Sequence, residues 1–504
     1  MILENGVIRT LDPSLPEARA LAIAGDRIAG GVGVHETALA SPEVVDLDGR
    51  CVLPGFTDSH VHFATWAVAQ REVKLDGCTS LDEAVERIRG AERSGTWLRG
   101  YGWRDAEWTD GRSPTRADLD AVDSERPIAM ISKDYHALWL NSPAVALAGG
   151  DLDVEGGVVV RGEDGEPTGV LYEEAAWRFK ERYMQIPATE YVDAMRAGMK
   201  LAAARGVVCH HDKDGWLGAI GLWQQLEQQT PLTHRVWQST PYENLPHLRE
   251  LGLRSGAGSP MLRLGYLKAF MDGTLGSQTA WMLDGSGVMI TSGEHLAEIV
   301  REAAELGWPV AVHAIGDRAN REALDAFEQT REVWQPLGLR QRIEHAQCIA
   351  PEDLARFAEL GVAVSAQFTH APSDEQLAKR FWPDKLEGTY SFRSLLDSGA
   401  LVANGSDAPI EELDPWGGVV AAVLGHWRED QRLTLEQALH ATCIAPAWLS
   451  HDERVRGPLL PGRYADLVVL DRDPFAIDAS ELPEVSVVAT MVGGRWTHNP
   501  PPWN

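Results

Sequence analysis

Two histidines spaced two apart, His60 and His62, close the segment Leu53-Pro-Gly-Phe-Thr-Asp-Ser-His-Val-His62. On an extended strand successive side chains alternate faces, so both imidazoles would lie on one face, close enough to share a metal ion. Three more candidate donors stand at the ends of short apolar runs: His313 after Pro309-Val-Ala-Val, His345 after Arg342-Ile-Glu, and Asp407 after Leu401-Val-Ala-Asn-Gly-Ser. Taken singly, each histidine reads better as a hydrogen-bonded core or loop residue. As a group at strand ends they read as a ligand set for a divalent ion. Lys268 belongs with them, because it sits in the mostly apolar stretch Leu262-Arg-Leu-Gly-Tyr-Leu-Lys-Ala-Phe-Met-Asp272. Burial disfavours an ammonium, and a neutral amine can add carbon dioxide to become a carbamate, an anionic two-oxygen ligand able to bridge two metals. The same amine could instead reach Asp272 in an ion pair, and spacing leaves both readings open. Cys209-His-His-Asp212 also looks metal-like. Adjacent histidines on a strand face opposite ways, so at most one could enter a shared site, and neither is counted as a ligand.

Elements that would position these residues alternate between short apolar strands and longer helical segments, the pattern of βα units around a parallel sheet. Eight strands are expected: Cys51 to His62, Gly206 to Asp212, His234 to Thr240, Leu262 to Asp272, Pro309 to Asp317, Arg342 to Gln347, Val362 to Gln367 and Leu401 to Asp407. Eight suffice for an α/β chain to close into a (β/α)8 TIM barrel, whose C-terminal rim is where residues of different strands assemble active sites. The barrel is expected over 55–65 and 189–454. From about Thr65 to Glu190 the first connection is far too long for one helix and carries Trp97-Leu-Arg-Gly-Tyr-Gly-Trp103 and the pairs Gly149-Gly150 and Gly156-Gly157. It reads as an inserted α+β lobe over 66–188, with strands of its own, covering the active site. Strand-and-turn texture appears at both ends, with hairpin signals at Gly25-Asp26 and Gly493-Gly494. Neither end could make a core alone, so 1–54 and 455–504 are expected to pair into one small composite β-sandwich.

Composition narrows the class of partner. The 504 residues carry a formal net charge of -28, which disfavours nucleic acid, since phosphates call for a basic patch. Five scattered cysteines form no CxxC pair, so neither a disulfide framework nor a thiolate zinc site is expected, and a cytoplasmic location is the simplest expectation. No apolar run of about 18 residues suggests a membrane span, and the first residues lack the basic start and apolar run of a leader. A small molecule is the expected partner, and exposed sandwich edges leave a homodimer open. Most of the eighteen tryptophans are read as core or lobe packing.

The ordered motifs resemble those of the amidohydrolase superfamily, and within it the YtcJ-like (amidohydrolase type 3) branch that includes N-substituted formamide deformylases. They are the His60-Val-His62 segment, Lys268-Ala-Phe-Met-Asp-Gly-Thr-Leu-Gly-Ser-Gln-Thr-Ala280, Val312-His-Ala-Ile-Gly-Asp-Arg-Ala319, Arg342-Ile-Glu-His-Ala-Gln347, Gly405-Ser-Asp-Ala-Pro409, and in the insertion the Trp97 to Trp103 segment and Asp134-Tyr-His-Ala-Leu-Trp-Leu-Asn-Ser142. The resemblance runs nearly end to end, with one departure: Tyr135 stands where similar proteins usually have glycine. It implies that His60 and His62 bind a more buried metal together with Asp407. Lys268, if carboxylated, bridges to a second ion held by His313 and His345. The cofactor would be one or two divalent ions, zinc first among the options. Such an ion lowers the pKa of a bound water to about 7, making hydroxide available to attack an sp2 carbon. Asp407 would take up the proton and pass it to the leaving group. The expected reaction is hydrolysis of an amide-like C–N bond in an N-substituted formamide, N-acyl or cyclic amide. Deamination, lactone or phosphoester hydrolysis, and a non-catalytic binding or regulatory role on the barrel stand as alternatives. His136, Trp103, Asp317 and Gln367 are the candidate substrate-binding residues, and His370 could line the same pocket.

Overall fold

The computed structural model describes residues 1–30, 43–91 and 96–503, which fall into two compact units, Met1–Phe63 with Arg196–Asn504, and Ala64–Met195. In the first, eight parallel strands follow one another around a barrel: β1 (Phe56–Val61), β2 (Val207–Asp212), β3 (Arg235–Pro241), β4 (Leu262–Phe270), β5 (Val310–Ala314), β6 (Arg342–His345), β7 (Ala363–Ala366) and β8 (Val402–Asn404). Each pairs in parallel with the next, and a parallel bridge between Val61 and Ala408 returns the chain after β8 to β1. The strands are buried on both faces, as a parallel sheet wrapped by helices must be. The helix Gly293–Glu305 shows how that cover is made. Ser292 accepts the His295 backbone N–H to cap it, and Leu296, Ile299, Val300 and Ala303 face the core. The fold is thus the expected (β/α)8 barrel.

One boundary differs from the sequence reading. The run from Cys51 to His62 is not one strand: Cys51–Pro54 belongs to another sheet, and the barrel strand begins at Phe56. Gly55 makes the break, because a Cβ there would lie 2.1 Å from Val208 Cγ1. The chain can pass from sheet to barrel at that point only without a side chain.

Cys51–Pro54 pairs antiparallel with Leu467–Leu470 and parallel with Ile2–Arg9, joining strands from both termini in one eight-stranded sheet. Leu3, Leu21, Leu47, Val52, Leu467 and Met491 fill the core of this composite β-sandwich. Both hairpin signals are turns: Gly25 (φ 59°) joins Glu17–Ala24 to Arg27–Gly30, and Gly493 and Gly494 join Val487–Val492 to Arg495–His498. The second unit has a six-stranded sheet in the order Gly157–Arg161, Pro167–Glu173, Ala137–Leu140, Ile128–Ser132, Leu98–Trp103, Val73–Lys74. All five cysteines are free and buried. No helix among the described residues is long and apolar enough to cross a membrane.

Candidate metal centre

Asp407 is where the rim residues meet. Its Oδ1 lies 3.3 Å from His60 Nε2 and 3.6 Å from His62 Nε2, and its Oδ2 lies 3.8 Å from His345 Nδ1. The His60 ring is 4.8 Å from the His345 ring, which is 4.4 Å from that of His313. The backbone fixes this meeting. Asp407 N–H donates to the His60 carbonyl at 2.7 Å and His62 N–H to the Ala408 carbonyl at 2.8 Å, stitching the segment after β8 to β1. Asp58 adds a second stitch, accepting from the N–H groups of His60 and Ser406 and from the Ser406 hydroxyl. Gly405 must lack a side chain, since a Cβ would stand 2.5 Å from His60 N. His345 (φ 74°), Ala346 (φ 48°) and Asp407 (φ 57°) all occupy the left-handed region. Non-glycine residues are held there at a cost that clusters at functional sites.

Partners behind the rings set which nitrogens face inward. His60 Nδ1 donates to Glu344 Oε2 at 2.7 Å and His62 Nδ1 to Asp214 Oδ1 at 3.1 Å, leaving both Nε2 lone pairs toward Asp407. His345 Nδ1 donates to Gln367 Oε1 at 2.8 Å, and His313 Nε2 to the Gly273 carbonyl at 3.0 Å. Glu344 is in turn clamped: its Oε1 lies 2.7 Å from Arg342 Nε and 2.9 Å from Lys213 Nζ, all fully buried. Arg342 also donates from Nη1 to His211 Nδ1 at 3.0 Å.

The donor set suits a divalent ion. Ligand atoms on a tetrahedron with bonds of about 2.1 Å stand about 3.4 Å apart. Two imidazole nitrogens 3.3 and 3.6 Å from one carboxylate oxygen match that spacing. His60, His345 and Asp407 form a further compact donor group. Burial lowers the pKa of Lys268 against the pull of Glu344 and Asp407, and raises that of Asp407 against the charges of His62, His370 and Lys268. Burial also holds His60 and His345 well below the ordinary histidine value. It acts the same way on His62, but the hydrogen bond and charge of Asp214, with Asp407, leave that pKa raised. Despite its burial, Glu344 is kept well below the usual carboxylate range by Arg342 and His60.

His60, His62, His313, His345 and Asp407 therefore stand together. Lys268 is buried on β4, its Nζ 4.8 Å from the Phe270 ring centre and without a hydrogen-bond partner among the described residues. The ion pair with Asp272 is not formed. Asp272 instead accepts the backbone N–H groups of Trp281, Ile315 and Gly316. Gln367 stands beside His345, whereas Asp317 is engaged within the protein by Leu283 N–H at 2.7 Å and Lys385 Nζ at 2.6 Å. His136 and Trp103 lie in the second unit. The imidazole of His136 is 2.8 Å from Glu173 Oε2, and Trp103 packs against Trp108 and Trp139 with its indole N–H on the Met130 carbonyl. His210 stacks on Phe63 while His211 meets Arg342, so the pair does part to different surroundings. Sequence reasoning passed over Glu344, Asp214, Lys213 and Asp58. The available signal was a charged residue next to a ligand within a short strand between helical segments, as in Arg342-Ile-Glu-His345.

A model of the amidohydrolase family matches residues 43–498. YtcJ of Bacillus subtilis is 30% identical over 93% of this chain and 94% of its own length. N-substituted formamide deformylase of Arthrobacter pascens is 28% identical over 98% and 97%. The crystal structure of an uncharacterized metal-dependent hydrolase from Pyrococcus furiosus superimposes with a TM-score of 0.76 at 30% identity, covering 94% of this chain and 99% of that one. The motif order, the barrel and this end-to-end similarity agree: the chain belongs to the amidohydrolase family.

Proposed function

We propose that this protein hydrolyses an amide-like C–N bond in a small molecule, an N-substituted formamide, N-acyl or cyclic amide, at a centre of one or two divalent ions. The observation that carries the reading is the convergence of His60 Nε2 and His62 Nε2 on Asp407 Oδ1. In it, His60, His62 and Asp407 would hold one ion, zinc by donor type, and His313 and His345 a second. Lys268, an unpartnered buried amine, would supply two bridging oxygens as a carbamate. Ions held there would supply a low-pKa water and polarise the substrate carbonyl. The chain does the rest. Glu344 and Asp214 orient the two rings. Asp407 takes a proton at its free oxygen and returns it to the leaving nitrogen. Similarity to the formamide deformylase supports the C–N choice.

The test is a panel of formamides, N-acyl amino acids, cyclic amides and lactones, with 4-nitroformanilide as the chromogenic member. Zinc-loaded protein is expected to turn over at least one amide, and Asp407→Asn to lose about 10²–10⁴-fold in kcat, the usual range for a general acid-base group. Turnover of lactones alone, or of no member, would sink the proposal. One ion per chain with an unmodified Lys268 would point to a mononuclear deaminase instead.

A further inference from the structure

His370 opens the helix His370–Phe381, just after β7, and is 5% exposed. Its ring lies parallel to that of His345, within 5°, with centres 6.4 Å apart. It is near enough to both His345 and Asp407 to act on them electrostatically. Gln347 Nε2 donates to His370 Nδ1 at 2.9 Å, which makes Nδ1 the acceptor and leaves the ring proton on Nε2. Among the described residues that Nε2 has no partner, and neither do its neighbours Gln347 Oε1 and Thr369 Oγ1. A buried N–H without an acceptor is costly, and native structures keep one where a ligand or water completes it. Gln367, three residues earlier, already serves the His345 ring, so His370 is not needed to orient that ligand.

We propose that His370 is a catalytic residue, donating its Nε2–H to the carbonyl oxygen of the substrate in a hydrogen bond that tightens as that oxygen becomes an oxyanion. The inference rests on the hydrolase reading above and narrows its substrate class. A donor at this place serves a carbon that bears oxygen, an amide or lactone carbonyl, and gives no help at a ring C=N carbon, where the developing charge falls on nitrogen. No proton is transferred. The N–H bond stays intact while the hydroxide adds to carbon and the carbonyl π pair moves to oxygen. Donors already in place where charge develops need no reorganisation during the reaction, which is why they contribute strongly.

The experiment compares His370→Phe, which keeps a flat ring beside His345 without an N–H, with His370→Gln, which carries an amide N–H near the Nε2 position. Zinc-loaded full-length protein is assayed for kcat and KM on 4-nitroformanilide, for zinc per chain, and by calorimetry for binding of methylphosphonate, a tetrahedral oxyanion. For His370→Phe we expect kcat to fall about 10²–10³-fold, with KM within about threefold and zinc unchanged, because the bond gains most of its strength as the oxyanion develops. Methylphosphonate affinity should fall at least about tenfold, and His370→Gln should regain at least about tenfold in kcat. A kcat within about threefold of wild type in the Phe variant, loss of zinc alongside activity, or no recovery with Gln overturns the assignment. If wild-type protein does not turn over 4-nitroformanilide, the amide reading fails on this probe. The calorimetric arm then decides on His370 alone, and unchanged methylphosphonate affinity in the Phe variant refutes it.

Discussion

Replacing Glu344 with glutamine should separate two jobs that one carboxylate performs. Its Oε2 accepts from His60 Nδ1 at 2.7 Å, while its Oε1 neutralises Arg342 at 2.7 Å and Lys213 at 2.9 Å, with every partner buried. Glutamine keeps an oxygen for His60 but removes the charge, so two cations lose their nearest anion. Breaking a buried ion pair from one side costs about 3–5 kcal/mol, because the surviving charge stays desolvated. With two cations stranded, the upper end of that range is expected. For a unit of about 370 residues each kcal/mol shifts the midpoint by roughly 1.3 °C, so the barrel transition should drop by roughly 6 °C in calorimetry of metal-free protein.

Loss of the carboxylate behind His60 should also weaken zinc binding by about 10–100-fold, read by competition with a chelating dye. Adding Lys213→Met tests the cause. If stranded charge is responsible, the double variant should recover part of the lost stability, giving a coupling of at least about 1 kcal/mol across the cycle. A Glu344→Gln protein that melts within about 2 °C of wild type and binds zinc as tightly would refute the reasoning.

Gly405→Ala should act on the centre without touching a donor. Its Cβ would press on His60 N at 2.5 Å and His60 Cβ at 2.7 Å, so the variant is expected to lose about 1–3 kcal/mol of stability and to bind zinc more weakly, in the same two assays. In the inserted unit, His136 is partly buried, and desolvation lowers its pKa, but the hydrogen bond and charge of Glu173, with Asp134, more than offset this and leave it raised. A histidine raised on folding contributes fully below its unfolded value of about 6.5, and that contribution fades as pH climbs through the folded value. Hydrogen exchange of residues 130–140 should therefore quicken as pH rises above about 6.5, after correction for intrinsic rates. Glu173→Gln should flatten that dependence, and an unaltered profile would contradict the pairing.

The ligand positions were legible because they obey a local rule. Each lies near the C-terminal end of a barrel strand, and in a closed parallel barrel the strand ends meet. Local spacing cannot report the partners that make those ligands useful. Glu344 reaches His60 across 284 positions of chain and Asp214 reaches His62 across 152, so neither pairing leaves a trace in nearby sequence. The break at Gly55 was hidden for a related reason. Residues 51–54 and 56–61 are both extended and buried, and it is the approach of Val208 that shows the chain changing sheets between them. Lys268 was ambiguous in sequence because Asp272 lay four residues away. In the fold, three backbone N–H groups occupy that carboxylate, and the amine is left to the centre.

The two halves of the centre are also backed unequally, which bears on how they would hold metal. His60 and His62 donate to carboxylates, whereas His345 donates to the amide of Gln367 and His313 to the carbonyl of Gly273. A carboxylate behind an imidazole raises its basicity as a ligand, and a neutral oxygen does so less. His60 and His62 also share Asp407, while His313 and His345 would depend on Lys268 for an anionic donor. Stepwise chelation should therefore proceed in order. In a two-ion centre the ion at His313 and His345 should leave first and the one at His60 and His62 stay, visible as unequal anomalous occupancy in crystals soaked with increasing chelator. Gln367→Glu, which places a carboxylate behind His345, should narrow the gap between the two steps. Simultaneous loss of both ions, or loss beginning at His60 and His62, would show that the backing groups do not set the order.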